Sequence, residues 1–104
     1  MAVNKTNSIY VPNAFSPNGD NINDLLTLSP SSAVRQIVAF YLFDRTGALV
    51  YEVTNRTPEE VNTQGWDGMF NGYPASPGVY IYVLKVELID ESILFLEGDV
   101  SLIR

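Results

Sequence analysis

Val79-Tyr80-Ile81-Tyr82-Val83-Leu84-Lys85-Val86-Glu87-Leu88-Ile89 decides the fold class of this chain. Tyr80, Tyr82, Leu84, Val86 and Leu88 share one face of an extended segment, and Val79, Ile81, Val83 and Lys85 share the other. Alternation of this kind, rich in aromatic and β-branched residues, predicts a strand, because successive strand side chains point to opposite faces. The turn formers Asp90-Glu91-Ser92 follow, then Ile93 to Leu96, Gly98 and Val100 to Ile103. That pattern predicts a terminal hairpin in which Gly98 permits a bend.

Upstream, Val34 to Phe43 is the longest apolar stretch, with Ile37, Ala39, Tyr41 and Phe43 on one face and Val38, Phe40 and Leu42 on the other. Apolar residues on both faces predict a central strand covered on both sides, with a buried helix as the competing reading. Arg45-Thr46-Gly47 then interrupts, and Ala48 to Val53 returns. Gly47 suits the left-handed position of a three-residue hairpin connection. Thr54 to Gln64 is polar and reads as irregular, and Trp66-Asp67-Gly68, Asn71-Gly72 and Pro77-Gly78 form a run of turns with aromatic anchors. Ser8 to Phe15 holds a short strand that Pro12 confines to an edge or an end. Residues 16–24 are nearly all turn formers, Leu25 to Leu28 resumes an apolar pattern, and Ser29-Pro30-Ser31-Ser32 is another turn. No segment shows a convincing helical period. About seven short strands separated by turn signals predict an all-β, immunoglobulin-like antiparallel β-sandwich. Residues 1–8 read as a leader and residues 9–104 as the domain.

Composition narrows the function classes. The 104 residues suffice for one domain, and 46% apolar content supplies its core. The absence of cysteine excludes disulfides and thiolate metal sites. The absence of histidine removes the commonest general base, so Ser-His-Asp and Cys-His chemistry are impossible. The paired acids Glu59-Glu60 and Asp90-Glu91 stand side by side in polar connections, which is not the facing geometry that catalytic carboxylates need. The expectation is that the chain is not an enzyme. Net charge is −6, and Lys5, Arg35, Arg45, Arg56, Lys85 and Arg104 are too scattered to form a phosphate-neutralising stripe, so nucleic acid is not an expected partner. No apolar run approaches the ~20 residues of a membrane-spanning helix. Met1-Ala2-Val3-Asn4-Lys5 lacks the apolar core of a signal peptide. A secreted domain with this start is expected to be a fragment of a longer protein.

A series of motifs adds a family resemblance. Val11-Pro12-Asn13-Ala14-Phe15-Ser16-Pro17-Asn18-Gly19-Asp20, with Asn23-Asp24, resembles the start of the gliding-motility-associated C-terminal domain, the type B sorting domain of the type IX secretion system of Bacteroidota. The resemblance continues through Leu42-Phe43-Asp44-Arg45-Thr46-Gly47, Val50-Tyr51-Glu52, Trp66-Asp67-Gly68, Gly72, Pro77-Gly78-Val79-Tyr80 and Tyr82, and closes with Gly98-Asp99-Val100-Ser101-Leu102-Ile103-Arg104. Asn21 stands where the family usually has Gly, and Thr46 where it often has Trp. The stretch from Trp66 to Tyr82 is also similar to immunoglobulin-like modules of flagellar hook-cap proteins. The resemblance implies a C-terminal module that directs a larger cargo protein, after export to the periplasm, through an outer-membrane translocon to the cell surface or medium. Its implied partners are secretion-machinery proteins and the cargo domains that precede it.

Several residues are candidate sites. Asn18, Asp20, Asn23 and Asp24 place oxygen ligands close together, as a Ca²⁺ site requires, but without the regular Asp-x-Asp-x-Asp spacing or a bidentate Glu at the twelfth position; Asx turns that merely fold the loop are the simpler reading. Arg45, with Gly47 in its turn, is a candidate partner contact or a solvated surface cation. Leu102, Ile103 and Arg104 end the chain, and because the resemblance reaches them they are candidates for recognition by the export machinery; the simpler role is to complete a sheet. Trp66 reads either as a core residue or as a sugar platform, and Tyr73, Tyr80 and Tyr82 invite the same two readings, with packing at the core or its rim the expected one. A Ca²⁺-assisted carbohydrate- or surface-binding module on the same sandwich is the competing function.

Overall fold

The computed structural model describes residues 8–17 and 24–103. Its elements are β1 (Ile9–Tyr10), β2 (Ala14–Phe15), β3 (Ser29–Pro30), β4 (Val34–Phe43), β5 (Leu49–Arg56), α1 (Pro58–Thr63), β6 (Met69–Phe70), β7 (Tyr73–Pro74), β8 (Gly78–Leu88) and β9 (Ile93–Leu102). The four long strands are the four that the apolar alternation predicts. They make a five-stranded sheet, with β2, in the order β2-β9-β8-β4-β5.

The fold is all-β and sandwich-like. The second layer is assembled from short pieces: the β1–β3 pair, the β6–β7 hairpin, helix α1, and a bridge between Leu26 and Trp66. The inner face of the sheet supplies Phe40 and Leu42 from β4, Tyr80, Leu84, Val86 and Leu88 from β8, and Val100 and Leu102 from β9. Ile9, Phe15, Leu26, Leu28, Val61 and Trp66 cover them from the other layer and the sheet edge. Ser8 is also buried, and its carbonyl accepts from the Ser31 amide.

Five findings correct the sequence reading. Pairing is antiparallel except at one edge, where β2 runs parallel to β9 with Ala14 opposite Ser101 and Phe15 opposite Leu102. Thr54–Gln64 is not irregular: β5 extends to Arg56, and Pro58–Thr63 is a helix. A capping box starts it, with Glu60 N–H donating to the Thr57 hydroxyl at 3.2 Å and Thr57 N–H donating to Glu60 Oε1 at 2.9 Å. This single turn and a half is too short for a period to show. Gly98 does not bend β9, which is continuous. The Tyr82 ring lies over it instead, and a Cβ at Gly98 would meet Tyr82 Oη at 2.8 Å. Register shifts in β4 near Ile37 and Ala39 turn Ile37 to full burial instead of leaving it with Tyr41 and Phe43. Lastly, β4 is central but covered on one side only: Tyr41 and Phe43 stay half-buried on the outer face, with Ile81 exposed beside them.

Candidate functional site: the turn end of the sheet

Strand direction decides which residues meet. β4 ends and β5 begins at one end of the sheet, and there β8 also begins and β9 and β2 end, with Gly78 opposite Leu102 and Leu102 opposite Phe15. The turn carrying Arg45 and Gly47, the Pro77-Gly78 turn and Ile103 therefore share that end.

Asp44 organises the β4–β5 turn. Its Oδ1 accepts from the Thr46 amide at 2.9 Å, the Thr46 hydroxyl at 2.6 Å and the Ala48 amide at 3.0 Å. Those bonds, led by the Thr46 hydroxyl and then the Ala48 amide, hold the Asp44 carboxyl below the usual carboxylate range. Gly47 has φ +89°, the left-handed conformation expected from its position, and its N–H donates to the Asp44 carbonyl at 2.9 Å. The result is a fixed turn that leaves Arg45 exposed, with no ion pair among the described residues.

The β6–β7 hairpin stands beside it. Asn71 (φ 53°) and Gly72 (φ 82°) form its two-residue loop, as an Asn-Gly pair favours. Trp66 holds its base: the indole Nε1–H donates to the Met69 carbonyl at 2.9 Å. Tyr80 donates its hydroxyl to the Ser76 carbonyl at 2.6 Å. Between this hairpin and the Asp44 turn lies an open groove of about 570 Å³, whose lining includes Arg45, Phe70, Tyr73, Pro77 and Val79.

Trp66 is a core residue. It is 2% exposed and packs against Phe15, Tyr51 and Tyr80 at ring distances of 5.5, 6.3 and 5.2 Å. It is withdrawn from any role as an exposed sugar platform. Tyr80 is buried and Tyr82 is half-buried, as packing residues; Tyr73 is 74% exposed and does not pack as expected. Burial, and secondarily the Asp99 charge, push the Tyr82 hydroxyl above its usual range. Leu102 is buried in the core, and the Ile103 amide donates to the Phe15 carbonyl at 3.0 Å, which leaves the Ile103 side chain half exposed. Arg104 lies outside the described residues. So do Asn18, Asp20 and Asn23 of the Ca²⁺ candidate; Asp24 is half-buried. Among the described residues no three acidic side chains cluster as a metal site would require. Glu59 and Glu60 lie in the first turn of α1, where Glu60 serves the cap.

Phe70, unlike Tyr73 across the hairpin, is a groove residue that the sequence reading did not single out. The usable signal is the Asn71-Gly72 pair between them, since a two-residue hairpin loop places its flanking residues side by side.

The family model described as CHU_C type IX secretion signal domain matches residues 9–94 of this chain. The chain belongs to the type IX secretion signal domain family. No curated protein matches it. A type IX secretion signal domain is a targeting module and not a catalytic family, and its role implies export to the cell surface or medium with contacts to the secretion machinery and to cargo in the same chain. No helix among the described residues is long and apolar enough to cross a membrane.

Proposed function

We propose that this domain directs a larger cargo protein through the type IX system by protein–protein recognition, and that the turn end of the sheet is the surface the machinery reads. The family match over residues 9–94 carries the targeting role. The choice of surface is supported by the convergence there of the Arg45–Gly47 turn, the exposed rings of the β6–β7 hairpin and the end of β9. In this reading Arg45 offers a cation, Gly47 sets the turn that presents it, Leu102 anchors the last strand, and Ile103 with Arg104 supplies the terminal contact. The module performs no catalysis.

The test is a reporter fused between a signal peptide and this domain in a type IX-competent cell. The parent fusion should deliver the reporter to the surface or medium. Arg45→Glu and Ile103→Asp should each reduce delivery while leaving the melting temperature of the isolated domain nearly unchanged. Ser32→Glu, at the opposite end of the sheet, should leave delivery intact. Normal delivery by both turn-end variants sinks the choice of surface, and no delivery by the parent sinks the targeting role. Retardation of the domain in a polysaccharide affinity gel supports the carbohydrate-binding alternative. Melting in chelator and in millimolar Ca²⁺ tests the residue 18–24 loop separately.

A further inference from the structure

The outer face of the five-stranded sheet has a composition that solvent alone does not explain. Residues directly opposite each other in an antiparallel pair point to the same face. Glu52, Tyr41, Val83 and Glu97 therefore form one row across β5, β4, β8 and β9. Leu49, Phe43, Ile81 and Asp99 form the row above it. The middle of both rows is apolar: the Tyr41 and Phe43 rings contact each other at 6.4 Å, and Ile81 is 43% exposed. Carboxylates bound this strip, with Glu52 on one flank and Glu97 and Asp99 on the other, and all three are exposed.

None of these three carboxylates has an ion-pair partner among the described residues. Arg35 lies 3.7 Å from Glu87 and 3.9 Å from Glu91, and Arg56 lies 4.0 Å from Glu60. Lys85 is the cation on this same face, opposite Ala39 and Phe95 in the row beyond Val83, and it sits over the Phe95 ring at 5.3 Å. The face thus combines two apolar rows with acidic flanks, on a chain of net charge −6.

The spacing narrows the partner. Three inter-strand steps of about 4.8 Å separate β5 from β9, so Glu52 and Glu97 stand about 14 Å apart. A helix with its side chains is about 10–12 Å across. It fits along the strands between the two acidic flanks. We propose that this face docks an amphipathic helix of another protein, with its apolar stripe on Tyr41, Phe43, Ile81 and Val83 and Lys or Arg along both sides. The missing cover over β4, apolar on both faces, is then supplied in trans. This inference concerns a different face from the turn end and does not rest on the targeting role.

The test uses the whole 104-residue domain. The probe is a synthetic helical peptide of about 20 residues with Leu at i, i+3, i+4 and i+7 spacing and Lys on both flanks, paired with a version carrying Glu at every Lys position. Amide shifts are followed by NMR at about 50 mM salt. The Lys-flanked peptide should perturb β4, β8 and the facing parts of β5 and β9, and bind at least about tenfold tighter than its Glu-flanked partner. Glu52→Lys with Glu97→Lys should reverse that preference. If this double variant does not fold, Glu97→Gln alone should weaken the Lys-flanked peptide several-fold. Equal binding of the two peptides overturns the proposal, as does no binding of either. Shifts confined to the turn-end groove or α1 also overturn it. A domain that sediments as a dimer through this face assigns it to a second copy and overturns it too.

Discussion

Trp66→Ala removes the ring on which both layers of the fold converge. Trp66 is nearly fully buried and touches three other rings, while its backbone bridge to Leu26 within the second layer survives the truncation. Truncating a buried Trp to Ala costs about 3–5 kcal/mol, from lost transfer energy and the cavity left behind. A domain of this size is stable by roughly 5–15 kcal/mol in all. With about 4–8 °C lost per kcal/mol, the melting temperature should fall by roughly 15–30 °C. Trp66→Phe keeps an aromatic ring but removes about three heavy atoms, and should cost about 2 kcal/mol. Its lost indole bond matters less, because the Met69 acceptor belongs to an exposed strand that water can reach. Trp66 is the single tryptophan, so the parent is followed by its fluorescence and all variants by far-ultraviolet circular dichroism. A Trp66→Ala domain melting within a few degrees of the parent refutes the assignment of this ring to the core.

Four further outcomes follow from the geometry. Gly65→Ala places a Cβ against the Leu26 carbonyl, a backbone atom that cannot step aside without breaking the Leu26–Trp66 bridge, so denaturant melts should show a loss of at least about 3 kcal/mol. Thr57→Ala removes the α1 cap and should cost about 1 kcal/mol by the same assay. Gly98→Ala pushes on the Tyr82 ring and should cost about 1 kcal/mol, and a double-mutant cycle with Tyr82→Ala should abolish most of that loss. For pH, the Asp44 and Glu60 carboxyls are held below their ordinary values, by the Thr46 hydroxyl and by the Thr57 amide respectively. Depressed carboxylates contribute stability above the unfolded-state value, near pH 4, and lose it as pH falls through the folded-state value; Asp44→Asn and Glu60→Gln should therefore each flatten the acid side of a melting-temperature profile and leave its slope above pH 6 unchanged.

The long strands were legible because their period survives in the residues themselves. Tyr80, Tyr82, Leu84, Val86 and Leu88 alternate without interruption, and the structure buries that face. Gly47 was legible for a local reason, since a three-residue connection leaves one position that needs a positive φ. Less was visible where tertiary context decides. Helix α1 turns on Thr57-Pro58-Glu59-Glu60, a capping box that is present in the residues but signals a start without the length that confirms a helix. The bulges in β4 shift Ile37 into the core, and no count of alternating positions reveals a shift of register. Gly98 carries a signal with two solutions, a bend or a ring laid over it, and only the placement of Tyr82 on the neighbouring strand selects the second. The parallel β2–β9 edge joins residues nearly ninety positions apart, which no local pattern encodes. For the site, Arg45 and the closing strand were named from the residues and the resemblance, whereas their meeting at one end of the sheet depends on the topology alone.

That meeting has a mechanical basis. The surface proposed above works only if its parts are held in register, and this chain has no disulfide to do so. The ring cluster of Phe15, Trp66 and Tyr80 takes that part. Through the Met69 carbonyl, Trp66 fixes the base of the β6–β7 hairpin, and through the Ser76 carbonyl, Tyr80 fixes the turn that leads into β8. Phe15 packs on Trp66, and its carbonyl receives the Ile103 amide. The hairpin, the entry to β8 and the last described residue of the chain are thus tied to one buried set of rings. The Asp44 turn is fixed separately, by its own carboxylate. Rigid presentation here rests on aromatic packing and a few short hydrogen bonds, so a substitution inside the core should disturb the outer surface before it unfolds the domain.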